Sequence, residues 1–299
     1  MTGLLTKIYM EVRWPVLWFS LGLCFIMGLL TALLPKVLGD IQQIFERMPF
    51  IKPLLTALLG VDPGEQVKAT MSQAFLWVHP TVLTLLWAHE VMYCTRLPAG
   101  EIDRGTIDFL LGLPVSRWKL FIAETIGWLT SGVVILGLGY AGHLLASMFL
   151  QPGMRPPAVV TLFVMCNLLA VYLAVGGFAF LISSVSDRRG RAIGVVFAVL
   201  LFTFLINFVA QFWDPLKSIS TNDSSVANVV AGAGENSDAA TADSASGIAM
   251  LSVMDYYRPA IIIQSGAFPW SDVAVLLFFA AFSWTIAGVC LSRRSICTV

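Results

Sequence analysis

Six stretches of the chain, roughly 15–35, 73–94, 120–149, 158–184, 192–213 and 270–292, are apolar over about 20 residues or more. That is the length an α-helix needs to cross the ~30 Å hydrocarbon core of a bilayer. Inside lipid no water is available to the backbone, so each stretch must pair its N–H and C=O groups within itself. Composition agrees. Hydrophobic residues make up 58% and charged residues 12% of the 299, whereas soluble domains carry roughly 25% charged residues. The fold expected is therefore an all-α polytopic membrane protein, with one transmembrane domain over 1–299 and six transmembrane helices. The first run is too long for the apolar region of a cleaved signal. It is followed by Pro35-Lys36 in place of a small-residue cleavage site, so it counts as a span. The third is long enough to tilt.

Six crossings put both termini on one side, and the basic residues say which. The short segments on the side of the termini hold Lys7, Arg13, Arg96, Arg104, Arg117, Lys119, Arg188, Arg189, Arg191, Arg293 and Arg294, eleven of the eighteen Lys and Arg. The other seven are spread over longer segments on the opposite side. An excess of Lys and Arg marks cytoplasmic loops, so the termini are expected in the cytoplasm. On the outer side, 36–69 carries Ile41, Ile44, Phe45 and Met48 at helical spacing but is too short to span; it is expected to be an interfacial or re-entrant segment capping the bundle. From 218 to 247 the chain is nearly all small and polar, with no aromatic residue. It cannot bury enough surface to offset its ordering entropy, so a disordered outer loop is expected. Asp255 to Pro259 restores order before the last run, where Tyr256, Tyr257 and Trp270 suit a membrane interface.

Several function classes fall away. The formal net charge is zero and the basic residues are scattered, so there is no electrostatic footprint for nucleic acid. Five cysteines without a C-x-x-C pair suggest neither a disulfide frame nor a zinc site. His89-Glu90 begins like a zinc-protease motif, but Tyr93 stands where the second histidine belongs. Gly137, Gly139 and Gly142 spell G-x-G-x-x-G within an apolar run, where no phosphate can reach; helix packing is the expectation there, as for Gly176-Gly177 and the Gly190/Gly194 pair. Ionisable groups within spans are functional candidates, which leaves His79, His89, Glu90, Glu124 and His143 as candidates for substrate contact. No phosphate-binding G-x-x-x-x-G-K-[ST] loop occurs, nor a soluble block large enough to hold a nucleotide domain. Energy must come from a partner chain or an ion gradient, so no cofactor is expected in this chain itself.

Between the second and third runs lies a charged island, 98–118. Taken as one helix at about 100° per residue, it places Glu101, Arg104, Gly105, Asp108 and Gly112 on one arc and Ile102, Phe109, Leu110 and Leu113 opposite. Arg104 and Asp108 then form an i,i+4 pair. The segment reads as a short helix along the membrane surface.

Read as a string, Glu101, Gly105-Thr106, Leu110-Leu111 and Pro114 to Arg117 resemble the E-x-x-x-G-T, LL and P-[IV]-S-R signature of ABC-2 type permeases, the membrane subunits of a group of ATP-binding-cassette exporters. The end of the chain is similar too. Tyr256 to Pro259 resembles the family's Y-x-x-P, and Arg293-Arg294-Ser295-Ile296 resembles its R-R-D-I tail, with Ser295 for the usual Asp. The resemblance implies that the island is a cytoplasmic coupling helix resting on a separate ABC ATPase dimer, which binds ATP and Mg. Glu101, Gly105, Thr106, Pro114, Ser116 and Arg117 would be the coupling element, with Arg104 and Asp108 as supporting contacts. It also implies a second permease copy or paralogue, a bacterial plasma membrane and export with no catalysis by this chain. A gradient-driven carrier or channel, or an intramembrane enzyme, stays open as an alternative.

Overall fold

The computed structural model describes residues 2–38, 69–150, 152, 155–223 and 252–294, and every regular element among them is a helix. Five of these helices are long and apolar enough to cross a membrane. They are α1 (Thr2–Leu38), α6 (Arg117–Ser147), α7 (Ala158–Val185), α8 (Arg189–Asp223) and α10 (Trp270–Arg293). The expected second span is not a single helix. It is α2 (Ala69–Val78) followed by α3 (Pro80–Cys94), with the backbone extended at His79 (ψ 128°) between them. The reason is Pro80, which has no N–H to give the preceding turn and pushes the residue before it out of helical geometry. Pro80 then serves at the first position of α3, where a missing N–H costs nothing, and His79 Nδ1 accepts from the Thr81 N–H at 3.3 Å.

Another boundary differs from expectation. Helix α8 runs on to Asp223 and takes in the start of the stretch expected to be a loop; the rest of 218–247 lies outside the described residues. Most of the expected outer segment 36–69 lies outside them too, apart from the last turn of α1 and the first residue of α2. The order expected at Asp255 to Pro259 is present, as a 3-10 turn (Val253–Tyr256) and a short α9 (Pro259–Ser265). Burial raises the pKa of the Tyr257 hydroxyl, which keeps its proton and donates to the Trp77 carbonyl at 2.9 Å.

Helix α1 packs along α6, and α10 along α7, with α3 touching both α1 and α7. Between α6, α7 and α10 the core is aromatic. Trp128 stacks on Tyr172 with ring centroids 5.5 Å apart, and Phe121 stacks on Trp284 at 5.3 Å. These rings need backbone-close seats. Gly176 provides one, since a Cβ there would overlap the Trp128 indole. The G-x-G-x-x-G stretch packs helices as expected. Gly139 faces Leu23, and Gly142 lies against the Cys24 carbonyl with no room for a side chain, while Gly137 meets nothing. Gly190 and Gly194 differ: a Cβ at either would meet no neighbour among the described residues.

The helix ends sort into two groups. Contacts among Glu11, Arg96, Glu124, Ser184, Asp187 and Arg294 gather the start of α1, the end of α3, the start of α6 and the ends of α7 and α10. Arg189, at the start of α8, joins them through Met92. This is the basic end. At the far end His143 of α6 accepts or donates to Thr31 of α1 at 2.8 Å and meets Trp77 of α2 edge-on. So α2 and α3 together run from the far end to the basic end.

Gly142→Val should drive a branched side chain into the α1 backbone and cost about 1–3 kcal/mol, whereas Gly137→Ala should be neutral or slightly stabilising. Thermal unfolding of the detergent-solubilised protein would separate the two.

Candidate functional site

At the basic end the chain leaves α3 after Cys94, turns through Arg96–Gly100 and then forms two short helices, α4 (Glu101–Asp103) and α5 (Ile107–Leu111). The single helix expected over 98–118 is therefore corrected. Gly105 has φ +69°, a conformation that residues with a Cβ avoid, and it resets the helical phase. Arg104 and Asp108 do not share a helix, so the i,i+4 geometry expected for them is absent. The expected arcs fail for the same reason. Ile107 and Leu110 are the buried residues of α5, while Phe109, expected to face inward, is 79% exposed.

The geometry accounts for E-x-x-x-G-T in physical terms. The Gly105 N–H bonds the Ile102 carbonyl and the Thr106 N–H bonds the Glu101 carbonyl, both at 3.0 Å. This pair of bonds around a left-handed glycine is the Schellman stop. The Thr106 hydroxyl closes it a second time by donating to the Glu101 carboxylate. Glutamate, glycine and threonine at this spacing thus make one rigid loop. Arg104, Gly105, Thr106 and Asp108 are exposed on it and Glu101 is half-buried.

Pro114 and Ser116 are also exposed, and Ser116 caps α6 by accepting from the Lys119 N–H at 3.3 Å. Arg117 is different. Its guanidinium turns away from the segment and donates to the carbonyls of Leu291 and Arg294 at the end of α10. It binds two helices of this chain together, which the sequence did not foretell.

The segment hangs from an ionic knot. Arg96 donates to Glu124 of α6 at 2.5 Å and to Glu11 of α1 at 2.8 Å, and its guanidinium lies 5.2 Å from the Tyr93 ring centroid. Arg96 and Glu124 side chains are only 13% and 9% exposed, against 44% for Glu11. Burial opposes the Arg96 charge, but Glu124, by its charge and its hydrogen bond, outweighs burial and holds the Arg96 pKa above its ordinary value. Around the knot, Ser183 of α7 donates to the Leu97 carbonyl at 3.0 Å and Arg189 of α8 to the Met92 carbonyl at 2.8 Å. Arg294 ties the ends of α7 and α10 through the Ser184 and Ser186 carbonyls and Asp187.

The other candidates separate. Glu124 is the partner of Arg96. His89 is fully buried with Nδ1 3.2 Å from the Tyr172 hydroxyl, and neighbouring Glu90 is buried facing the Gly176 backbone without a well-formed hydrogen bond. His143 and His79 lie away from these, at the far end and at the α2–α3 break. No group of three or more His, Cys, Asp or Glu able to hold a metal occurs among the described residues. Sequence reasoning missed Glu11, Arg96 and Arg189 as parts of the site. Only the need of a buried Glu124 for a cation could have pointed to Arg96.

A family profile described as ABC-2 family transporter protein matches residues 91–294, well over half the chain. The chain belongs to the ABC-2 transporter family. No curated protein and no solved structure matches it. The matched region of this ABC-2 permease begins directly after the buried Glu90 and ends at Arg294, so it takes in Arg96 and Glu124 of the knot but not Glu11, together with the Schellman loop and the carbonyl-capping arginines.

Two substitutions test the construction. Arg96→Leu leaves Glu124 buried and unpaired and should cost about 3–5 kcal/mol, most of it recovered in the Arg96→Leu/Glu124→Leu double variant, as a thermal-melt double-mutant cycle would read. Gly105→Ala should cost about 1 kcal/mol at the loop, seen as roughly fivefold faster hydrogen exchange at the amides of 105 and 106.

Proposed function

We propose that this chain is the permease subunit of an ABC exporter, driven by a separate ATPase dimer that binds ATP and Mg and acts on segment 98–118. The observation that carries this reading is the segment itself. It is a rigid, Schellman-closed projection at the basic end whose outward side offers Arg104, Thr106 and Asp108 beside the exposed ring of Phe109. A buried foot and an exposed apolar tip within a charged frame suit a surface that a soluble partner grips.

The orientation follows from charge. The arginine-rich ends of the helices face the cytoplasm, and the broken pair α2–α3 makes the sixth crossing. Force enters at the projection and leaves through two routes. Ile107 and Leu110 press on the bundle, and the Arg96 turn pulls on α1 and α6 through Glu11 and Glu124. Glu101, Gly105 and Thr106 keep the projection stiff, and Arg104, Asp108 and Phe109 make the contact. Pro114 and Ser116 end the projection and start α6, while Arg117 passes its displacement to α10. Two ATPase subunits need two membrane halves, so a second permease copy or a paralogue completes the assembly in a bacterial plasma membrane. Export, in place of import, is what the resemblance to exporters supports, and the cargo stays unassigned.

Glu101→Arg should leave the helices inserted and folded but lower permease-dependent ATP hydrolysis about tenfold or more, or release the ATPase. Co-purification and ATPase assays on the reconstituted complex would measure both. Normal assembly with normal hydrolysis would refute the coupling role.

A further inference from the structure

A cavity of about 320 Å³ opens at the basic end between α1, the last turns of α3 and the projecting segment. Its volume falls within the range of small-ligand sites, and its walls are both charged and apolar. Charged Arg104, Arg189 and Glu101 line it together with apolar Val12, Pro15 and Met92.

The balance of charge in the cavity is not closed by the protein. Arg96 and Glu11, which also line it, satisfy each other. The Glu101 carboxylate is engaged by the Thr106 hydroxyl. Arg104 and Arg189 form no ion pair among the described residues, and Arg189 Nε is buried without an acceptor. His89, fully buried, borders the same cavity with Nε2 unpartnered. With the Tyr172 hydroxyl assigned as donor to Nδ1, Nε2 carries the proton, so it too is a donor without an acceptor. Buried donors in this state each cost free energy that an acceptor would return. The Tyr93 hydroxyl, which also lines the cavity, is buried without a partner too; every unmet group can donate and two carry positive charge, so the missing ligand is an anion. A cation would find its carboxylates already taken.

From this we propose that the cavity binds an anionic amphiphile, its phosphate or carboxylate head on Arg104 and Arg189 and its first chain carbons against Val12, Pro15 and Met92. The space suits a headgroup and the start of a chain, the remainder lying along the bundle in the membrane. Binding needs no ATPase and so stands apart from the coupling reading. If both hold, the occupant touches the projection through Arg104 and Glu101.

The test uses the full chain purified in neutral detergent, with binding followed by native mass spectrometry. Phosphatidylglycerol should bind in preference to phosphatidylcholine with the same acyl chains. Arg189→Gln should weaken it about tenfold, with Arg189→Lys retaining more. Met92→Trp, which fills the apolar wall without touching the Met92 carbonyl that Arg189 holds, should weaken it similarly. No headgroup preference, or parental affinity in both Arg189→Gln and Met92→Trp, would overturn the proposal. Glycerol phosphate competing as tightly as the lipid would overturn the amphiphile in favour of a soluble phosphate ligand. Loss of lipid preference beside a normal Glu101→Arg uncoupling would remove this site and leave the coupling reading intact.

Discussion

A guanidinium buried at the end of a membrane helix has to be met by carboxylates and carbonyls, because desolvating it alone costs far more than any packing could return. Arg96 is placed in that position by the turn that ends α3, and the rest of the basic end is organised by its partners. Glu124 comes from α6 and Glu11 from α1, so one side chain sets the relative height of three segments. The same need recurs in weaker form at the other helix ends, where the last carbonyls have no intrahelical donor. Arg117, Arg189 and Arg294 supply those donors across the bundle. Among the described residues, the arginine-rich end is thus closely cross-braced.

That bracing gives the projecting segment something firm to push against. A short helix alone would fray, but the left-handed turn at Gly105 and the Glu101–Thr106 contact hold its two halves in one shape. The glutamate of the signature both closes the loop and lines the cavity, so rigidity and contact reside in the same few residues.

Much of this was legible in the chain. Apolar length located α6, α7 and α10 within a few residues, and glycine spacing in α6 did mark a helix contact. The motif E-x-x-x-G-T located the projection. What failed was the assumption that helical phase continues through it. One residue in the left-handed region was enough to turn Phe109 outward and to end the helix between Arg104 and Asp108. Pro80 carried a readable warning that the second apolar run would break, since a missing N–H and a crowded neighbour are local facts.

The sequence by itself determined that the chain is a set of apolar helices, where most of them begin and end, and where a charged, glycine-broken segment interrupts them. Hydropathy and backbone preference act between near neighbours and can be read along the chain. Tertiary structure decided which charges meet. Arg96 finds Glu124 28 residues away, and Arg117 caps a helix 177 residues away. Such pairings depend on how helices stack in space, and no local pattern encodes that.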